Sequence, residues 1–324
     1  MNVLIVGGAG YVGGAVTDRL LRTGHAVRIY DSLLYEEEYR KPVMLVVGDI
    51  RDGERLRPHL RWADVVVWLA AIVGDGACAA DPDLTVAVNE RSVAWLARNF
   101  DRRIIFMSTC SVYGANDELL DEESPLNPLS LYAVTKLNAE KALAGSPAMI
   151  FRLGTLFGVG DTYSRVRLDL VVNTLTARAL LYGRISVFGG EQYRPLLHVS
   201  DVAEAIVCNL DTPHTGLFNL LVTNMRISDL AEEIRAHVPA VEIRRTDAKF
   251  QDNRNYRVSG DKLFQVAGYR PTRTVGQGIE EMKALLMDRR IRNINSHRYS
   301  NATFVSQLVT TPSTPLGYEV AWRI

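Results

Sequence analysis

The sequence predicts an α/β fold: a doubly wound parallel sheet of the Rossmann type, with a smaller C-terminal α/β substrate lobe. Three observations predict it. Apolar runs alternate with amphipathic stretches through the first half, a β-branched run at the start stops at glycines that open a helical pattern, and the alternation ends after Gly154. Such alternation argues for parallel strands covered by helices on both faces.

The chain opens Met1-Asn-Val-Leu-Ile-Val6, an apolar β-branched run, breaks at Gly7-Gly-Ala-Gly10-Tyr11-Val12-Gly13, and continues as a helical pattern from Ala15-Val16 to Leu20-Leu21. This reads as strand, tight turn and helix. Glycines let the backbone approach a pyrophosphate closely, and a helix N-terminus offers it free N–H groups and a positive dipole end. A second apolar run, Ala26 to Tyr30, ends in Asp31, at the distance where such folds set an acid on the adenosine ribose hydroxyls. An acid there repels a 2′-phosphate, so NAD is expected over NADP.

Further strands are expected over residues 43–47, 65–70, 104–107 and 148–153. Ligands of these sheets lie beyond the carboxyl ends of the strands. That makes Asp49 and Ile50 candidates for the adenine end of the groove, and Leu69, Ala70 and Ala71 candidates to pack the cofactor. After Gly154 the rhythm changes to Gly158-Val-Gly160-Asp-Thr162-Tyr163, a helix over about residues 168–181, a short strand over 185–188, and the pair Gly189-Gly190. Pro195-Leu-Leu-His198-Val-Ser200-Asp201 then leads into a helix over 202–210, with Ser200 or Asp201 as its cap, that returns to the first domain. The expected division is residues 1–155, joined by about 196–212, for the dinucleotide domain, and 156–195 with 213–292 for the lobe. Ser228 is expected to cap a further helix and Gly276 to begin the last one, and residues 293–324 read as a tail with no clear period.

The 324 residues, 47% of them apolar, supply ample core for one large or two smaller units. Lys plus Arg (37) equals Asp plus Glu (37), which leaves no net field for nucleic acid or an anionic membrane, and neither partner is expected. The three cysteines, Cys78, Cys110 and Cys208, are widely spaced without metal-ligand spacing; no metal is expected, and a reducing compartment suits them. No secretory signal is visible and no apolar run reaches membrane-spanning length, so a cytoplasmic protein is expected.

Within Ser130-Leu-Tyr132-Ala-Val-Thr-Lys136, a spacing of four sets a phenol and an ammonium on one helix face. A free phenol has a pKa of about 10, so a tyrosine that takes a proton near neutral pH needs its phenolate stabilised by roughly 4 kcal/mol. A neighbouring cation supplies part of that.

With Gly7 to Gly13, Met107-Ser108-Thr109-Cys110-Ser111-Val-Tyr-Gly114 and Tyr132-Ala-Val-Thr-Lys136 in this order, the chain resembles the extended short-chain dehydrogenase/reductases. More narrowly, it is similar to the NAD-dependent epimerase/dehydratase branch that acts on nucleotide sugars, over about residues 1–290. The resemblance implies NAD as cofactor, a nucleotide-diphosphate sugar as substrate, and a homodimer paired through a helix bundle that includes the Tyr132 helix. It implies Tyr132 as base, Lys136 as its partner and holder of the nicotinamide ribose, and Thr109 as the hydroxyl that bonds the reacting sugar hydroxyl. A strand-end hydroxyl near a tyrosine base suits proton relay on chemical grounds too. Ser108 and Asn89 fall at cofactor-groove positions, although a structural role for Asn89 stays open. Leu153 and Thr155 replace the Tyr and Asn frequent beside nicotinamide and substrate, leaving Leu153 its backbone for that contact. Arg194 matches a diphosphate-binding arginine; Arg254, Tyr256 and Asn173 are further diphosphate candidates, and guanidinium suits bidentate phosphate contact. His198 reads as structural.

All branches begin alike: the tyrosine takes the proton of the sugar C4 hydroxyl and hydride passes from C4 to NAD. Dehydratases usually add an Asp-Glu pair just after the catalytic Thr, where this chain holds Cys110 and Ser111, both candidate substrate contacts, so a 4,6-dehydratase is disfavoured; Cys110 as an acid in a 3- or 5-epimerisation ranks below a small buried cysteine. The expectation is a C4 epimerase that re-reduces a transient 4-keto sugar. The alternative is a 4-dehydrogenase that releases it, on the likeness of residues 69–74, 167–173 and 253–258 to a subgroup with heptose-nucleotide C4 oxidoreductases. A non-catalytic NAD-binding regulator would be expected to lack Tyr132 or Lys136.

Overall fold

The computed structural model describes residues 1–36, 38–161, 163, 165–246 and 254–310; Thr162 and Asn253 of the motifs above and residues 311–324 of the tail lie outside these. Seven strands form one parallel sheet. Across it, in order, lie Gly216–Leu220, Ala148–Leu153, Arg103–Thr109, Val65–Trp68, Asn2–Val6, Ala26–Asp31 and Met44–Val47. The strand order therefore reverses beside Asn2–Val6, which makes the carboxyl end of that strand the switch point of the sheet.

Strand periodicity explains why both faces are covered. Val3 and Ile5 point into one core with Val16 and Leu20 of the helix Tyr11–Leu20 and Val202 and Ile206 of the helix Val199–Val207. Leu4 and Val6 point the other way, into a core with Trp68, Leu96 and Phe106. The helix Val199–Val207 thus returns to the sheet as expected, but its cap is His198, whose Nδ1 accepts from the Ser200 amide at 3.1 Å. Asp201 instead accepts from the Thr272 and Arg273 amides. The strand Gly216–Leu220 lies within the range assigned to the lobe, yet it pairs with Ala148–Leu153 as the sheet's edge. Its buried Phe218 and Leu220 face the sheet core, a packing preference that a five-residue segment does not announce in sequence.

The lobe has its own core, built from Phe157, Val172, Leu175, Ile185, Leu230 and Ile279. Its helices run Val171–Tyr182, Ile227–His237 and Val275–Met287. The second begins one residue before Ser228 and has no side-chain cap. The third is fastened by Thr274 and Gln277 in a reciprocal capping box. Within the expected tail, a short turn His297–Tyr299 leads into a helix Asn301–Thr310, whose Val305 is buried. With only Asn301 and Val305 buried, that helix shows too narrow an apolar stripe for its sequence to betray it.

A buried polar network joins helix, sheet and lobe. Arg152 forks onto Glu140, with Nη2 donating to Oε2 at 2.7 Å and Nε to Oε1 at 3.1 Å, and its Nη1 donates to Tyr113 Oη at 2.9 Å. Tyr113 donates in turn to Asn219 Oδ1 at 2.8 Å, and Asn219 Nδ2 to the Ser259 carbonyl at 3.1 Å. Both ends of the ion pair are almost wholly buried. Removing one partner of such a pair strands a charge away from water, at a cost of about 3–5 kcal/mol. Arg152→Met should therefore lower unfolding free energy by about that amount, read from the denaturant midpoint, whereas breaking an exposed pair such as Arg244–Glu242 should leave that midpoint unchanged.

Candidate active site

A cavity of about 770 Å³ opens at the carboxyl ends of the strands and reaches from the glycine turn to the lobe. Its floor is shaped by close backbone approach. Gly7 has φ +85°, and a Cβ there would meet the Ala70 nitrogen at 2.4 Å; a Cβ at Gly13 would meet Gly8 Cα at 2.5 Å. The turn consequently packs tightly against Leu69 and Ala70, and helix Tyr11–Leu20 starts at Gly10 with no side-chain cap. Its first N–H groups are left for a ligand. Asp31 lies across from them, accepting from the Ala9 amide at 2.9 Å and the Leu33 amide at 2.7 Å. Burial pushes its carboxyl up, and the amides of Leu33, Ala9 and Ser32 pull it back.

Gly7, Gly10, Tyr11, Val12, Gly13, Asp31, Asp49, Ile50, Leu69, Ala70, Ala71, Ser108, Lys136 and Leu153 all line this cavity. Thr109, Ser111, Tyr132, Thr155, Arg194, Arg254 and Tyr256 line it from the catalytic and lobe sides. Asp49 and Ser108 are among those whose side chains are already engaged. Asp49 is gripped by Arg51, whose Nη2 and Nε reach both carboxylate oxygens, and Ser108 Oγ donates to Glu140.

Three expected residues are not part of the cavity wall. Asn89 is buried and spans the turn at Ile72, donating to its carbonyl at 2.9 Å and accepting from its amide at 2.8 Å. Asn173 accepts from the Gly158 amide at 3.0 Å and donates to the carbonyls of Gly158 and Arg167. Cys110 turns inward and donates its thiol to the Arg152 carbonyl. Each spends its polar atoms on backbone that would otherwise be buried without a partner, a contact that supports a structural role. His198 is structural as well, its Nε2 2.9 Å from Glu281 Oε2 and its ring edge-on to Phe157.

The residues expected to be catalytic are brought together by two neighbouring elements. The strand Arg103–Thr109 ends on Thr109, and the helix Leu131–Ala142, capped by Ser130, carries Tyr132 and Lys136. Thr109 Oγ1 donates to Ser111 Oγ at 3.1 Å, and the same hydroxyl faces the Tyr132 phenol. Burial pushes the Tyr132 phenol well above its ordinary value; Thr109 and the Arg167 charge act in the opposite sense. Lys136, expected to supply the phenolate's counter-charge, has its ammonium engaged by a backbone carbonyl. Lys136 Nζ donates to the Met107 carbonyl at 2.7 Å and sits 4.8 Å from the centre of the Phe106 ring. Burial lowers its pKa to about 8.

The structure also brings in residues that the motifs did not name. Asp75, just past the strand Val65–Trp68, accepts from Ser130 Oγ at 2.7 Å and pairs with Arg254 at 3.3 Å across the cavity. Arg165 and Arg167 reach the wall from the lobe, as do Asn301 and Ala302 from the C-terminal helix. Only Gly74-Asp75-Gly76 carried any sequence signal, as a flexible break after a strand.

Residues 3–220 match the family described as NAD dependent epimerase/dehydratase family, and the chain belongs to it. Over 254 residues it is 26% identical to N-acetyl-alpha-D-glucosaminyl-diphospho-ditrans,octacis-undecaprenol 4-epimerase of Escherichia coli O157:H7, covering 75% of each chain. It is also 26% identical to UDP-N-acetyl-alpha-D-glucosaminuronate decarboxylase of Bacillus cytotoxicus, covering 86% of this chain and 95% of that one. Its fold matches the crystal structure of UDP-glucose 4-epimerase with UDP-glucose from Thermotoga maritima at a TM-score of 0.79 and 20% identity, over 90% of this chain and 100% of that one. The protein is thus an NAD-dependent enzyme of the nucleotide-sugar epimerase, dehydratase and decarboxylase class.

The residues present fit NAD. The uncapped helix start suits its diphosphate and the Asp31 carboxylate suits a ribose with both hydroxyls free. A hydrogen bond to a charged group contributes about 1.5–3 kcal/mol. Asp31→Ala should accordingly weaken NAD binding by about 10- to 100-fold while improving NADP relative to NAD, as read by calorimetric titration with each.

Proposed function

We propose that this enzyme is a nucleotide-sugar C4 epimerase that works through a transient 4-keto sugar. NAD, when bound, supplies the hydride acceptor and donor. Thr109 holds the sugar 4-hydroxyl, and Tyr132 takes its proton and later returns it to the same C4 oxygen, after the keto sugar has turned its other face to the hydride donor. Lys136 stabilises the phenolate by its charge, which requires its ammonium to leave the Met107 carbonyl or share itself with it. Arg194 and Arg254 bind the substrate's diphosphate, and Tyr256 and Ser111 contact the sugar side of the cavity.

The observation that carries this reading is the set of groups next to Thr109. Cys110 is turned into the core, and Ser111 Oγ lies between Thr109 Oγ1 at 3.1 Å and Tyr256 Oη at 3.5 Å. Burial also pushes the Cys110 thiol far above its ordinary value, which removes it as an acid or base. Hydroxyls stand where an elimination needs a carboxylate base. Asp75, whose charge acts on the Tyr132 phenol, is held by Ser130 and Arg254. Pairing of two copies through the outer face of the Tyr132 helix, where Val134 is exposed, belongs to the same reading.

The decisive assay incubates the enzyme with UDP-, GDP-, CDP-, dTDP- and ADP-sugars and analyses the products by mass and NMR. An epimer with no net change in reduced-nicotinamide absorbance is expected. Accumulating NADH with a 4-keto product would establish the dehydrogenase instead, and loss of carbon dioxide would establish a decarboxylase. Tyr132→Phe should lower kcat about 10²- to 10⁴-fold with NAD still bound, in line with the loss of a positioned base.

Lys136 has its pKa depressed from 10.5 to about 8, so its ammonium is complete below pH 8 and is lost as pH rises through that value. The expected kcat/KM therefore falls on the alkaline side near pH 8. Lys136→Arg, which keeps its charge, should move that fall to higher pH whatever its absolute rate.

A further inference from the structure

Residues beyond 292 lie outside the span that the family model matches, yet Asn301 and Ala302 form part of the cavity wall. The segment is fastened to both sides of the groove. On the side of the lobe, the Asn301 amide donates to Asp169 Oδ2 at 2.8 Å, Asn301 Oδ1 accepts from Arg165 Nη1, and Asn295 Nδ2 donates to Tyr182 Oη at 3.0 Å. On the side of the dinucleotide domain, Asn301 Nδ2 donates to the Val73 carbonyl at 3.0 Å, and the Phe304 ring packs 5.0 Å from that of Tyr35. Val305, 1% exposed, joins the core that contains Ala77 and Cys78.

These anchors are placed along the cofactor's path. Tyr35 follows Asp31 by four residues, on the adenosine side, and Val73 follows the Leu69-Ala70-Ala71 strand end. Arg165, 6% exposed and lining the cavity, stacks 4.2 Å over Tyr35 and has its Nη2 without a hydrogen-bond partner among the described residues. A buried guanidinium with a spare donor facing a cavity suits an anionic or hydroxylated ligand there. A segment bonded to both walls, with Asn301 as its pin, closes the groove between them.

We propose that residues 293–310 form a cofactor strap, docked over the adenosine half of the dinucleotide site, that sets the rate at which NAD leaves. Release requires undocking: the bonds of Asn301 and the burial of Val305 must be given up before the groove opens. The inference rests on NAD as cofactor and holds whichever nucleotide-sugar reaction the enzyme performs. It also supplies a physical basis for a retained NAD, which a closed epimerase cycle uses and a dehydrogenase must exchange at every turnover.

A reversible crosslink tests this in the full chain. A Cβ built at Gly76 falls 2.9 Å from Ala302 Cβ, and a disulfide spans about 3.5–4.5 Å between Cβ atoms, so Gly76→Cys with Ala302→Cys, on a Cys208→Ser background, needs a shift of about 1 Å. NAD release is followed by displacement with a fluorescent analogue in excess. Oxidation should slow release about tenfold or more, and dithiothreitol should restore it. Asn301→Ala and Phe304→Ala should each speed release about tenfold, with faster hydrogen exchange confined to the strap. A release rate that stays within about twofold across the oxidised, reduced and substituted proteins, while exchange reports an undocked helix, would overturn the proposal.

Discussion

The active site depends on one buried ion pair. Glu140 stands one turn beyond Lys136 on the helix that carries Tyr132, and Arg152 stands on the strand beside the one that ends in Thr109. Their bidentate contact holds that helix against the sheet, and Ser108 adds its hydroxyl to the same carboxylate. The relation between base and hydroxyl partner is therefore set from below by charges kept dry and geometrically matched. Through Tyr113 and Asn219 the same network reaches Ser259 in the lobe, so the two halves of the cavity share one polar spine.

At the other end of the cavity the governing constraint is steric. The glycine turn can lie against Leu69 and Ala70 only because Gly7 and Gly13 lack side chains. That leaves the amides of the following helix facing the groove, with Asp31 across from them. Electrostatics in the catalytic half are unsettled by contrast. The Tyr132 phenol and the Lys136 ammonium are both pushed toward neutrality by burial, so the phenolate–ammonium form that the chemistry uses is the costly one. A bound ligand that carries positive charge beside the phenol relieves that cost, and chemistry is thereby tied to occupancy of the site.

Much of this was legible in the chain. The strand Ala148–Leu153 appeared at its expected bounds, and the glycine turn, Asp31, Thr109, Tyr132 and Lys136 all face one cavity. These residues are dictated by local rules: β-branched runs, glycine at a close crossing, spacing along a helix. Asn89, Cys110 and Asn173 were less legible, because a motif position names a neighbourhood and not the direction in which a side chain points. The polar atoms of all three are taken up by backbone groups whose needs arise only once the chain has folded.

Sequence alone determined the sheet and the dinucleotide turn and set Tyr132 and Lys136 on one helix face, since each follows from a periodicity or a spacing within a few dozen residues. Tertiary structure decided three things that depend on contacts between distant segments. It set Gly216–Leu220 at the sheet's edge, paired Asp75 with Arg254 across the cavity, and docked Asn301 on Val73 and Asp169. The physical reason is the same for each: a hydrogen bond between residues some 70 to 230 positions apart leaves no periodic trace in either segment, and its partner exists only in the folded chain.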